Sequence, residues 1–191
     1  MCKDRYIVFD VETPNCLNNR ISAMGLSVVE GGRLTESRYT LLDPECEFDA
    51  FNIRLTGITP EMTEGKPTFK DLWPALASFF ESGLLIAHNA PFDMGVIARC
   101  LSAYDISWRE RVNYACTCRM SRKLLPQLPN HRLNTLADYF DIPLRHHEAD
   151  SDSQACGEIF LRHVRSGADP APFLRLYDLE RRRTLPRGRW A

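Results

Sequence analysis

The 191-residue chain carries 24 Lys and Arg against 25 Asp and Glu, and 44% of its residues are hydrophobic. That is the composition of an ordinary globular protein with enough chain for one core. No apolar run approaches the ~20 residues that span a bilayer. The start, Met1-Cys2-Lys3-Asp4-Arg5-Tyr6, lacks the apolar region and cleavage site of a signal peptide. A cytoplasmic protein with no membrane role is therefore expected.

The charge is unevenly spread. Residues 1–114 hold 11 Lys and Arg against 16 Asp and Glu, whereas residues 115–191 hold 13 against 9. An acidic metal-binding half and a basic phosphate-binding half would produce this split, and so would ordinary solvated helix faces. The seven cysteines are odd in number and include no CxxC pair. A zinc finger is thereby disfavoured, and reduced, partly buried thiols are expected. Cys116 and Cys118 are expected on one face of a strand.

Taken in chain order, Tyr6-Ile7-Val8-Phe9 is a short apolar run, the mark of a central strand buried on both faces, and it ends in Asp10-Val11-Glu12. Residues Ile21 to Val29 and Leu34 to Leu42 predict a hairpin turning at Gly31-Gly32 and stopped by Asp43-Pro44. A looser stretch reaches about Lys66. Thr68 and Asp71 have the spacing of a capping box, opening a helix with Leu72, Leu76, Phe79 and Phe80 on its apolar face and Pro74 expected to kink it. Gly83 ends that helix, and Leu84-Leu85-Ile86-Ala87 predicts another buried strand. Asn89 and Pro91 open a helix to about Ala103. A strand over Val112 to Cys116 follows, then helices over Leu133 to Phe140, Ser151 to about Val164, and Phe173 to about Arg183. This order implies an α/β domain, a mixed sheet with packed helices. Residues 1–168 form the expected domain, and 169–191 a C-terminal helix and basic tail running through Arg181-Arg182-Arg183 to Arg187 and Arg189.

Asp10 and Glu12 stand two apart at a strand end and so share a face. Adjacent carboxylates raise each other's proton affinity unless a cation lies between them, and a hard divalent ion is the usual partner. Water-exposed strand-end acids are the alternative. Asp93 falls in the first turn of the helix after the Leu84–Ala87 strand, where it either complements the helix dipole or joins a ligand set at the strand ends. His147 and Asp152 follow in His147-Glu148-Ala149-Asp150-Ser151-Asp152, with Asp150 expected as the helix cap, Asp152 as the inward ligand and His146 as a surface residue.

Together these residues resemble the DEDD exonuclease superfamily, in its histidine-containing DnaQ-like subgroup, which includes the proofreading epsilon subunit of bacterial DNA polymerase III. The resemblance runs from about residue 5 to 165. It rests on Phe9-Asp10-Val11-Glu12-Thr13, on Ala87-His88-Asn89-Ala90-Pro91-Phe92-Asp93, and on the His147 to Asp152 segment. Thr56-Gly57-Ile58-Thr59, Lys66-Pro67-Thr68-Phe69 and His131-Arg132-Leu133-Asn134-Thr135-Leu136-Ala137 add to it. Departures occur at Pro14-Asn15, where many relatives have glycine, at Thr56, where many have histidine, and at Ser153, where many have alanine. These departures remove no ligand and bear on substrate contacts.

The resemblance implies a ribonuclease H-like fold with a mixed five-stranded sheet and helices on both faces. It implies two Mg²⁺ ions, with Mn²⁺ as substitute, ~3.5–4 Å apart, clamping a phosphodiester. Asp10, Glu12 and Asp152 would hold one ion, Asp10 would bridge to the second, Asp93 would act partly through water, and His147 would serve as general base. The reaction implied is 3′–5′ removal of nucleoside 5′-monophosphates, from DNA or from RNA ends, with a polymerase or repair complex as possible partner class. Thr13 and Asn89 would lie near the 3′ terminus. Phe92 and Leu55 would stack on the last bases or pack in the core, and Arg119, Arg122, Lys123 and Arg132 would hold phosphates or face solvent. A non-catalytic nucleic-acid-binding scaffold is the reading from a different class, and it has no use for so costly a cluster of like charges.

Overall fold

The computed structural model describes residues 5–185. Cys2 and the rest of the N-terminal tetrapeptide, together with Arg187 and Arg189 of the basic tail, lie outside the described residues. A seven-stranded sheet organises the chain. Its strands are β1 (Arg5–Glu12), β2 (Ala23–Glu30), β3 (Arg33–Leu41), β4 (Leu84–Ala87), β5 (Arg111–Cys116), β6 (Arg175–Asp178) and β7 (Arg183–Thr184), in the spatial order β3-β2-β1-β4-β5-β6-β7. The central strands β1, β4 and β5 run parallel, and the flanking pairs are antiparallel. The hairpin between β2 and β3 turns on Gly31 and Gly32, at φ 58° and 73°. Two consecutive left-handed residues are what a two-residue type I′ turn demands, and glycine adopts them without penalty.

Helices cover both faces. Those before β4 are α1 (Ala50–Thr56), α2 (Pro60–Thr63) and α3 (Phe69–Glu81), and α4 (Pro91–Ala103) follows it. After β5 come α5 (Thr117–Leu124), α6 (Leu133–Phe140) and α7 (Ala149–Arg165). Strand alternation splits the core in two. Ile7, Phe9 and Val11 of β1 pack with α3 and α4, whereas Val8 packs with Leu136 of α6 and Ala155, Ile159 and Phe160 of α7. Each buried Ile, Leu, Val or Phe among them contributes about 1.5–3 kcal/mol of burial free energy. The Thr68–Asp71 capping box forms, and α3 continues through Pro74 to Glu81.

Several expectations need correction. The stretch before Lys66 contains α1 and α2. Cys118 is not on the strand: β5 ends at Cys116 and α5 begins at Thr117. Glu148, not Asp150, occupies the N-cap position of α7, without a side-chain capping hydrogen bond, and the helix starts two residues before the expected Ser151. The expected C-terminal helix is a 3₁₀ turn at Ala171–Phe173 followed by β6 and β7. Edge pairing overrides helical propensity there. The outer edge of β5 needs hydrogen-bond partners, β6 supplies them, and Tyr177 buries its ring 6.2 Å from that of Tyr114. These two added strands raise the sheet from the expected five strands to seven, while the α/β class and the two helical layers stand.

Candidate active site

The parallel strands β1 and β4 present their C-terminal ends side by side, the position at which open α/β sheets gather ligands. Asp10 and Glu12 project there from the face of β1 that also carries Val8, beneath α7. Asp10 stands opposite Gly25 of β2. A Cβ on Gly25 would lie 1.9 Å from the Ala149 carbonyl oxygen, so the first turn of α7 rests directly on the β2 backbone. That close approach carries Asp152 to β1, and carboxylate oxygens of Asp10, Glu12 and Asp152 all lie within 4.8 Å of one another. Asp93 arrives from the first turn of α4, its carboxylate accepting backbone hydrogen bonds from Val11 and from its own N–H.

Four acids in one place repel. Burial, then Asp93, Glu12 and Asp152, push the Asp10 carboxyl well above the usual carboxylate range. Burial with Asp152 and Asp93 lifts Glu12 to about 8, and burial with Asp152 lifts Asp93 to about 8 against its two backbone hydrogen bonds. Burial also lifts Asp152 to about 7, opposed by the His147 N–H and assisted by Glu148 and Asp150. One oxygen of Asp152, Oδ2, accepts the His147 backbone N–H at 3.1 Å. Its other oxygen, Oδ1, is buried without a hydrogen-bond partner among the described residues. An orphaned acceptor in an all-oxygen donor set, with charge to be neutralised, fits a hard divalent cation. Burial and His146 lower the His147 pKa below its ordinary 6.5, so the ring is neutral near pH 7.

The cluster forms the floor of a cavity of about 970 Å³, also lined by α1, α4 and the loops before α6 and α7. A model of the RNase_T exonuclease family matches residues 7–160. The chain belongs to this exonuclease family. Relatives of this exonuclease include the DNA polymerase III PolC-type of Halalkalibacterium halodurans, 34% identical over 168 residues that cover 86% of this chain and 12% of that one. The DNA polymerase III PolC-type of Bacillus subtilis is 31% identical over 170 residues, covering 87% and 12%. The chain thus spans 11 to 12% of the length of such curated relatives. Among solved structures, exonuclease X in complex with 5′-overhanging duplex DNA superimposes with a TM-score of 0.67 at 21% identity, over 88% of this chain and 96% of that one. The nuclease domain of 3′hExo, a DEDDh family member bound to rAMP, gives a TM-score of 0.69 at 15% identity, over 85% and 92%. Fold and family are those of an exonuclease with a ribonuclease H-like sheet. The DEDD family depends on divalent metal ions, and the carboxylate cluster of this exonuclease offers them a place.

The nine residues expected to carry the chemistry, the metals or the terminal nucleotide (Asp10, Glu12, Thr13, Leu55, Asn89, Phe92, Asp93, His147 and Asp152) line the same cavity. Thr13 is buried, its hydroxyl donating to Asn18 Oδ1 at 2.9 Å. Leu55 and Phe92 are 40% and 42% exposed, which removes the core-packing alternative for both. Asn89 sits at φ 58° and His147 at φ 70°, left-handed conformations that asparagine and histidine tolerate better than most side chains. Arg122 and Arg132 line the cavity, whereas Arg119 and Lys123 do not.

Sequence reading missed three contributors. Phe51, 64% exposed, joins Leu55 on the cavity side of α1, and their i, i+4 spacing ahead of the left-handed Gly57 cap was the available signal. Asn52 donates to the Thr13 carbonyl at 2.8 Å and so ties α1 to the end of β1. His88 donates from Nε2 to the His131 carbonyl at 3.1 Å and meets the Thr117 hydroxyl through Nδ1 at 2.9 Å, bracing β4 against α5 and the loop before α6. Burial lowers its pKa to about 4, so Nδ1 is the acceptor for the Thr117 hydroxyl.

Proposed function

We propose that this exonuclease removes nucleoside 5′-monophosphates one at a time from the 3′ end of single-stranded DNA. The observation that carries the reading is the convergence of Asp10, Glu12, Asp93 and Asp152, with the neutral His147 beside them, on one open cavity. Asp10, Glu12, Asp93 and Asp152 are the residues that would hold two divalent ions, Mg²⁺ or in its place Mn²⁺. When bound, those ions supply Lewis-acid neutralisation of phosphate charge and activation of the nucleophile.

The protein's own part follows from its geometry. An imidazole nitrogen of His147 takes the proton of the attacking water, a role worth ~10²–10⁴-fold in rate. Phe51, Leu55 and Phe92 give the terminal bases apolar surfaces that accept any sequence, and stacking on an aromatic is worth ~1–3 kcal/mol per base. Arg122 and Arg132 face the cavity as cations for backbone phosphates. Thr13 and Asn89 flank the terminal sugar, and the Asn52–Thr13 and His88–His131 hydrogen bonds hold those walls in place.

DNA is favoured as substrate because the sequence relatives are DNA polymerases. Proofreading for such a polymerase, in a cytoplasmic setting suited to unpaired buried thiols, is the biological role this supports. The catalytic unit is residues 1–168, with the following segment packed on it through β6. Matched single-stranded DNA and RNA oligonucleotides, each labelled at the 3′ or the 5′ end, test the reading in the presence of Mg²⁺. The 3′ label on DNA should leave as a mononucleotide at the first turnover, while the 5′ label reports a descending ladder. Faster RNA degradation would reassign the enzyme to RNA ends, and internal cleavage would refute an exonuclease.

A further inference from the structure

The proposed reaction leaves His146 without a task. Its ring lies 3.8 Å, centroid to centroid, from that of His147, with the two planes at 78°. A ring nitrogen of each and a carboxylate oxygen of Asp152 all lie within 4.8 Å of one another. Asp152 is 5% exposed, and its Oδ1 has no hydrogen-bond partner among the described residues. The same carboxylate belongs to the Asp10–Glu12–Asp152 group, so one side chain is common to two sets of ligand atoms.

The two sets differ in chemistry. Three carboxylates suit Mg²⁺, which prefers oxygen. Two imidazoles and one carboxylate suit Zn²⁺ and neighbouring transition ions, with a fourth position left to water. His146 is exposed, so its ring is free to pivot toward the ~2.0–2.1 Å at which Zn²⁺ binds imidazole nitrogen.

We infer that His146, His147 and Asp152 form a second, nitrogen-containing metal site, selective for Zn²⁺ over Mg²⁺, whose occupation shuts off hydrolysis. An ion there withdraws Asp152 from the carboxylate group and blocks the ring nitrogen of His147. The binding half stands independently of the proposed reaction, and the inhibitory half rests on it.

The test is a ZnCl₂ titration of the full chain in Mg²⁺-free buffer, followed through the imidazole Cε1–H proton resonances. Zn²⁺ should move the resonances of both His146 and His147, and MgCl₂ at the same concentration should leave His146 unmoved. Loss of even an outer-shell partner costs ~10–100-fold in metal affinity, so His146→Ala should weaken Zn²⁺ binding read at His147 by at least ~10-fold. At pH 8, above the His147 titration in either protein, the same variant should keep the uninhibited Mg²⁺-supported rate and raise the half-inhibiting Zn²⁺ concentration by the same factor. A His146 resonance indifferent to Zn²⁺, or equal Zn²⁺ affinity in wild type and His146→Ala, would overturn the site. Zn²⁺ bound at both rings of an active enzyme without inhibition would overturn the competition alone.

Discussion

The Asp152 carboxylate and the His147 backbone are joined: Oδ2 accepts the His147 N–H at 3.1 Å, across the turn that opens α7. His147 sits at φ 70° in that turn, so the hydrogen bond offsets part of the cost of a left-handed backbone. One residue thus contributes charge to the acid cluster and ties down the loop that carries His147. Asp152→Asn keeps an acceptor for the N–H and removes the charge, whereas Asp152→Ala removes both. Activity should fall by orders of magnitude in each. Amide hydrogen exchange at His147 should stay slow in Asp152→Asn and quicken in Asp152→Ala, and equal exchange in the two would show that the hydrogen bond does not hold the loop.

The acid cluster makes stability depend on pH in a definite direction. Glu12 and Asp93 titrate near 8 and Asp152 near 7 in the metal-free fold, all raised above their ordinary values of 4.5 and 3.8. The folded chain therefore holds more protons than the unfolded chain, and stability falls as pH rises through this range. His88 and His163, buried with pKa values lowered to about 4, act in the opposite sense only below 6.5. Between pH 6.5 and 8 the carboxylates decide. In the presence of a chelator Tm should decline over that interval, and excess Mg²⁺ should flatten the decline because binding competes with protons. A Tm that is level with pH and indifferent to Mg²⁺ would contradict the clustering of charge.

Gly25 is the hidden support of the site. A methyl group there meets the Ala149 carbonyl at 1.9 Å, so Gly25→Ala must push the start of α7 off β2. Overpacking of this kind costs ~1–3 kcal/mol. At ~2–4 °C per kcal/mol for a chain of this size, thermal unfolding reads the loss directly. Hydrolysis should fall further than stability does, because the displaced turn carries Asp152. An unchanged Tm and rate would mean that the contact is not retained in solution.

His147 should set the acidic limb of the rate profile. Its pKa is lowered below 6.5 by burial and by His146, and the proposed role as base requires the neutral ring. Activity should therefore persist at pH 6.5 and fall only as pH drops through the lower folded value. His147→Gln should reduce kcat by ~10²–10⁴-fold and abolish that limb. A variant that retained the wild-type limb would assign it to another group.

The parts of this design that were legible in the sequence are those with local signatures. The apolar run ending in Asp10 and Glu12, the Gly31-Gly32 turn and the Thr68–Asp71 capping box each depend on residues close in the chain, and each forms. What stayed hidden depends on distant partners. Residues 173–183 have a helix-compatible pattern, but the edge of β5 recruits Arg175–Asp178 as a strand, and Arg183–Thr184 pairs with that strand in turn. The role of Gly25 exists only because α7, more than a hundred residues later, packs on it. Phe51 and Asn52 are hard to read from sequence because α1 has only seven residues, too few for the Phe51–Leu55 spacing to stand out from a loop.

The central claim is that side chains from β1, α4 and α7 together hold divalent ions. Electron paramagnetic resonance of free Mn²⁺ counts bound ions directly, with a nucleoside 5′-monophosphate present to fill the cavity. Two Mn²⁺ ions per chain are predicted for the wild type, with at least one lost in Asp10→Asn and in Asp152→Asn while both variants stay folded. Equal Mn²⁺ binding by the wild type and the two variants would contradict the account.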